Sequence, residues 1–208
     1  MLDRSMRAVL SGPLDAAAAV LDRPGVTPDR LTIAGLVLAL ASAGAAAAQW
    51  WAVAVVLWLV SRVADGLDGT LARRRRAQGR GGESEAGGFL DITADFIAYG
   101  AGVFGVAWGA TTAFDTPWWP FLLVLVVYYV NGTAFLAFSS IAERTGRRID
   151  DGRSLSFLGR IAEGTETIVV HALWLILPFW AGGIAVVWSV FVGVSAVQRI
   201  VVGYRLLR

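Results

Sequence analysis

Four aspartates in the first half of the chain have the spacing of two helical stripes. Asp65, Asp68, Gly69, Ala72 and Arg73 recur at i, i+3, i+4, i+7 and i+8, which puts them on one face of an α-helix. Gly87, Asp91 and Asp95 recur at i, i+4 and i+8, one face of a second helix. A short loop separates the two, so they are expected to be antiparallel neighbours whose four carboxylates converge. Without a cation, mutual repulsion and desolvation would force protonation or open the bundle. Oxygen-only ligands with no His or Cys beside them suit hard divalent cations, Mg2+ or Mn2+, with Ca2+ able to substitute. Two such ions form a site for phosphoryl-type transfer, clamping the attacking and leaving oxygens. Arg73 adds a planar fork suited to a phosphate. Gly69 and Ala72 keep their face small, so a flat, bulky ligand can approach the helix. Together the residues point to a diphosphate ligand.

Plainer readings compete with this one. Asp65 and Asp68 can pair with Arg73 and Arg62 as a salt-bridge cluster at a helix end. Asp91 and Asp95 can mark an ion pathway, since acids inside a membrane also occur in cation transporters. An aspartate-rich membrane prenyltransferase also uses Mg2+ and a diphosphate, but it has no place for the Gly69-x2-Ala72-Arg73 element.

The elements that carry these stripes are membrane-like. The 208 residues are 56% hydrophobic and 16% charged, against about 25% charged in an average soluble domain. Mean hydropathy is +0.62. Six apolar segments stand out, at 31–48, 50–72, 87–110, 118–141, 158–177 and 181–203, each about the 20 residues a spanning helix needs. Several of the nine tryptophans end these segments, where interfacial anchors belong. The expected fold is an all-α integral membrane protein of six transmembrane helices, one domain over 1–208. All 18 arginines fall on one side of such an arrangement, which the positive-inside rule makes cytoplasmic, with both termini there. The basic pI near 9.5 is thereby explained by topology and headgroups rather than nucleic acid. With no cysteine, disulfides and thiolate metal sites are excluded. The first residues do not read as a signal peptide. Residues 1–30 read instead as an amphipathic segment at the cytoplasmic surface, equally compatible with packing on the bundle, and broken at Gly12-Pro13 with Pro13 opening a second short helix.

The combined pattern Asp65-x2-Asp68-Gly69-x2-Ala72-Arg73, then Gly87-x3-Asp91-x3-Asp95, resembles the signature of the cytidine diphosphate (CDP) alcohol phosphotransferase family at every fixed position. Thr27-Pro28-Asp29-Arg30-Leu31-Thr32 resembles the family's segment before the first span, with Asp29 where asparagine is usual. The loop from Arg73 to Gly87 is longer than the family's. The resemblance covers nearly the whole chain. It implies that Asp65, Asp68 and Asp91 are metal ligands. Asp95 is the general base and also touches a metal, and Gly69, Ala72, Arg73 and Thr32 line the CDP site. It implies a CDP-alcohol donor such as CDP-diacylglycerol, transfer of its phosphatidyl group to a hydroxyl acceptor with release of CMP, and a homodimer in the bilayer. The likeness is strongest to a bacterial inner-membrane branch that begins MLDR and has no assigned acceptor.

The second half is less specific. Arg144, Arg147, Arg148 and Arg153 are expected to form a phosphate-binding patch for a charged acceptor. Glu163 and Glu166, at i and i+3, are expected either to bind a polar acceptor or to complement a helix N-terminus. His171, the only histidine, is expected to be packed and hydrogen-bonded. Arg74 to Arg76 are expected to meet water or anionic headgroups.

Overall fold

The protein's structure, a computed structural model, describes residues 2–81, 84–146 and 164–208, with side chains from residue 11 onward. The described residues form seven α-helices: α1 (Leu2–Leu21), α2 (Pro28–Ala47), α3 (Trp51–Ala77), α4 (Glu85–Phe114), α5 (Trp119–Arg144), α6 (Gly164–Ile176) and α7 (Ala181–Leu207). A 3-10 turn at Pro178–Trp180 leads into α7. The all-α expectation holds.

Among the described residues, four segments are long and apolar enough to cross a membrane: α2, α4, α5 and α7 with its preceding turn. The expected six spans are therefore reduced to four on length and composition. Two physical reasons account for the difference. The first 18 residues of α3 already contain Arg62, Asp65 and Asp68, so no full crossing length of it is free of the charged stripe. The described part of α6 has 13 residues, or roughly 20 Å, against a hydrocarbon core of about 30 Å.

The centre of the fold is α2, a helix of small residues. It packs extensively against both α3 and α4, whereas α3 and α4 touch one another only sparsely. This refines the expectation that the two stripe-bearing helices are direct neighbours: each leans on α2, and a cleft is left between them. Close approach depends on missing side chains. A Cβ on Gly105 or Gly109 of α4 would run into the backbone carbonyls of Ala43 and Ala46 on α2. A Cβ on Gly35 would stand 3.2 Å from the Ser61 carbonyl of α3. Substituting Gly105→Ala is expected to overpack this seam and cost about 1–3 kcal/mol, read as a lowered Tm in detergent. Gly183→Ala, in open space on α7, should leave Tm unchanged or raise it.

Helix ends match local chemistry. Thr27 caps α2 by accepting the Arg30 amide at 3.2 Å, and Pro28 occupies the first turn, where its missing N–H costs nothing. Ser84 caps α4 through the Gly87 amide at 2.9 Å. At Gln49 the chain turns between α2 and α3 with φ of 65°, and the Trp50 amide closes the turn on the Ala45 carbonyl at 2.8 Å.

Two N-terminal expectations are corrected. Gly12-Pro13 does not break the helix: α1 runs through Pro13, since one lost amide bond does not stop a helix that has a surface to pack on. Ala18 is fully buried and Leu14 meets Gly66 of α3, so α1 docks on the bundle. Nor are Arg74 and Arg75 simply solvated. Arg75 donates from Nε to Asp22 at 3.0 Å and from Nη2 to the Val26 carbonyl at 2.7 Å. Arg74 lies 3.5 Å from the same carboxylate, and Arg80 pairs with it too. Asp22 ends the α1 segment, so this cluster ties α1 to the end of α3. Loss of water around Asp22 raises its carboxyl pKa, but hydrogen bonds and charge from Arg75 and Arg80 outweigh that and leave it below the ordinary 3.8. A depressed carboxyl contributes stability that is complete above the unfolded value and is lost as pH falls through the folded one. Hydrogen exchange of α1 should therefore stay slow down to pH 4 and quicken only below. Asp22→Asn should quicken it at neutral pH as well.

Candidate active site

Asp65 and Asp68 sit about three and two and a half helical turns before the end of α3, on its side toward the cleft, and Asp91 and Asp95 follow the capped start of α4. The two stripes meet through a residue outside the expected site. Arg62 Nη1 lies 2.8 Å from Asp95 Oδ1 and 3.6 Å from Asp65 Oδ1. One guanidinium thus bridges α3 and α4. Its side chain is only 6% exposed, against 36% for Asp95. Its Cζ sits 4.9 Å from the Trp58 ring centroid and 5.4 Å from that of Tyr99, within cation–π range.

The other carboxylates have different surroundings. Asp68 is buried. Thr32 of α2 reaches its Oδ2 at 2.5 Å, and the Gly69 amide faces its Oδ1 at 2.5 Å. The Thr32 hydroxyl has one proton, and Pro28 O is farther off at 3.2 Å, so Asp68 is its acceptor. Thr32, expected to line the nucleotide site, holds a carboxylate in place. Asp91 is half-buried, and no hydrogen bond to it is found among the described residues. Arg73 is exposed, with Nη2 donating to Thr70 Oγ1 at 3.1 Å. A Cβ on Gly69 would come within 3.1 Å of Arg73 Nη1, so glycine there leaves the guanidinium free to lie over the helix. Ala72 is buried. Gly87 lets the start of α4 approach that of α2: a Cβ there would stand 3.3 Å from Asp29 Oδ1 and 3.1 Å from Ser84 Oγ. Asp29 therefore lies at the edge of the same cleft.

Behind the cleft is an aromatic floor. His171 is buried and stacks on Trp58 with centroids 4.9 Å apart. Its Nε2 is 3.2 Å from the Tyr128 hydroxyl, which accepts from Trp188 Nε1 at 2.7 Å. Trp58 donates to the Ile168 carbonyl at 3.1 Å, fixing α6 against α3. His171 is thus the packed histidine expected. Arg144 ends α5 and is exposed, and Glu166 lies in the first turn of α6. Arg147, Arg148, Arg153 and Glu163 lie outside the described residues.

Residues 25–195 match the family of CDP-alcohol phosphatidyltransferases. The chain belongs to that family. Inner membrane protein YnjF of Escherichia coli is 34% identical over 214 residues, covering 100% of this chain and 98% of that protein. Phosphatidylinositol phosphate synthase of Mycolicibacterium smegmatis is 32% identical over 155 residues, 73% of this chain and 64% of the relative. Among solved structures, phosphatidylinositol phosphate synthase of Mycobacterium tuberculosis in complex with manganese and citrate superposes with a TM-score of 0.70 at 25% identity, covering 92% of this chain and 88% of the other. For a CDP-alcohol phosphatidyltransferase, the four aspartates stand where the two expected stripes put them. Arg62 was expected only as a salt-bridge partner of the α3 acids, a pairing seen with Asp65; its link to Asp95 across the cleft was missed. Its signal was present, because each stripe continues one turn deeper, as Trp58, Arg62, Asp65 on α3 and Asp95, Tyr99 on α4.

The donor set fits a hard divalent cation in kind: carboxylate oxygens, with Asp91 receiving no hydrogen bond. It does not form a closed cage, since among the described residues no three acidic or histidine groups are drawn around one point. Arg62 lies between Asp65 and Asp95 instead. Asp68→Ala should strand the Thr32 hydroxyl and the Gly69 amide without their shared acceptor. Its Tm in metal-free detergent solution should fall relative to Asp68→Asn, which retains an acceptor oxygen.

Proposed function

We propose that the protein transfers the phosphatidyl group of CDP-diacylglycerol, or the phosphoalcohol group of a similar CDP-alcohol, to a hydroxyl acceptor and releases CMP. The observation that carries this reading is the bridge from Asp65 through Arg62 to Asp95. It brings the acids of α3 and α4 to one cleft while leaving the Asp95 side chain 36% exposed. A general base must be reachable by its substrate, and Asp95 is the more open member of its ion pair.

The steps for this chain's own residues follow. Arg73, over the bare face of Gly69, binds a phosphate of the diphosphate; Ala72 contributes small size to the same helix face. Asp95 accepts the acceptor's hydroxyl proton. The freed oxygen bonds to the phosphorus that carries the lipid alcohol, and the bond to the CMP oxygen breaks, CMP leaving with that electron pair. Asp65, Asp68, Asp91 and Asp95 would hold two divalent cations, Mg2+ or Mn2+, which supply charge neutralisation at the diphosphate and a lowered pKa for the attacking hydroxyl. Thr32 orients Asp68 for that role.

Several finer readings belong to the same proposal. The chain is one membrane domain, with both termini and the cleft on the cytoplasmic side of a bacterial inner membrane, and it pairs as a homodimer. The arginine distribution supports the orientation. Arg144, Arg147, Arg148 and Arg153, with Glu163 and Glu166, are assigned to the acceptor side. Two relatives suggest where an acceptor panel should start: the M. smegmatis protein above, and archaetidylinositol phosphate synthase of Pyrococcus horikoshii, 33% identical over 149 residues. Inositol phosphate therefore heads the panel, with glycerol phosphate, serine and choline behind it.

Purified protein given labelled CDP-diacylglycerol, Mg2+ or Mn2+ and this panel should release CMP only with metal present. Asp95→Asn should slow release by about 10²–10⁴-fold. An unchanged rate in Asp95→Asn would remove Asp95 as the base.

A further inference from the structure

We propose that Arg62 is a built-in counter-cation that competes with the divalent ions for Asp95, holding the acidic cleft together until metal takes its place. This rests on the metal-dependent reading above. Asp65 and Asp68 on α3 and Asp91 and Asp95 on α4 border one cleft, and one guanidinium, that of Arg62, meets an acid from each helix. Arg62 satisfies Asp95 at 2.8 Å and Asp65 at 3.6 Å through a single nitrogen, Nη1. It contacts two of the four groups assigned as ligands, one from each helix. An ion that used Asp65 and Asp95 together would need the place that Nη1 now fills, and two like charges cannot share it.

The seat of Arg62 makes release possible. Its Nε donates to Ser61 Oγ at 3.2 Å, and its Cζ lies against Trp58 and Tyr99. These partners remain when Asp95 is withdrawn, so the guanidinium does not become an unpartnered buried charge. The aromatic seat is itself fixed, since Trp58 is tied to the Ile168 carbonyl and stacked on His171. Two arrangements of one side chain then follow: paired with Asp95 when metal is absent, drawn back on the rings when metal is bound. Metal affinity is reduced by the fraction of molecules in the paired arrangement.

The test uses the full chain in detergent, stripped with EDTA, with Mn2+ alone as the probe. Mn2+ affinity is read by calorimetry and by the EPR signal of free ion, and Tm with and without Mn2+. Arg62→Gln should lower the metal-free Tm yet bind Mn2+ about tenfold more tightly than wild type, with a larger Mn2+-induced rise in Tm. A merely structural arginine would lower Tm and leave affinity the same or weaker, and that result overturns the proposal. Arg62→Lys keeps the cation without the planar fork and should bind Mn2+ with intermediate affinity. Where the glutamine variant does not survive without metal, an Arg62→Lys affinity at or below wild type overturns the proposal equally. Wild-type protein that binds no Mn2+ overturns this inference and the metal-dependent reading together. Wild-type binding that Arg62→Gln fails to tighten overturns this inference alone.

Discussion

Four carboxylates gathered at one end of an apolar bundle set the terms for the rest of this structure. Carboxylates taken from water need charge and hydrogen bonds in return, and most of the polar contacts around the cleft provide them. Thr32 and the Gly69 amide serve Asp68. Arg62 serves Asp95 and Asp65. Asp91 is left without a donor among the described residues. The chain thus offers partial compensation, and the proposed divalent cations would supply the rest.

The bundle solves a second problem, keeping two charged helices close while only a few side chains, Arg62 and Asp95 among them, meet between them. Direct packing of α3 on α4 would bury the stripes in each other. Instead α2, rich in Ala and Gly, is the slab to which both attach, through Gly35 on its own face and Gly105 and Gly109 on α4. The Gly35 contact lies beside the Asp65 backbone, and the Gly105 and Gly109 contacts lie near the opposite end of α2. The Asp22 cluster then ties the N-terminal helix to the charged end of α3, so that the arginines after the motif work within the fold as well as at its surface.

Much of the site was legible because it is periodic. Asp65 with Asp68, and Asp91 with Asp95, keep to one helix face, and a period of 3.6 is the strongest signal a sequence carries. Thr32 and Gly87 were recognisable from the motif, but their work was not: one hydroxyl holds Asp68, and one missing Cβ admits the start of α2. Arg62 was hidden because it reads as an ordinary helix-end charge, and only the partner helix shows that it spans the cleft. The placement of α2 between α3 and α4 was equally hidden, since a helix of alanines has no polar face to orient it. Span counting failed at α3 for a functional reason, the charged stripe itself. Pro13 misled because a local breaker was weighed without the surface that α1 packs on.

The central claim is that the acids of α3 and α4 form one metal-binding cleft. Anomalous diffraction from crystals of the protein grown with Mn2+ tests it most directly. The account predicts manganese peaks bounded by Asp65, Asp68, Asp91 and Asp95. Protein that releases CMP in Mn2+ yet shows no manganese among those four carboxylates would contradict it.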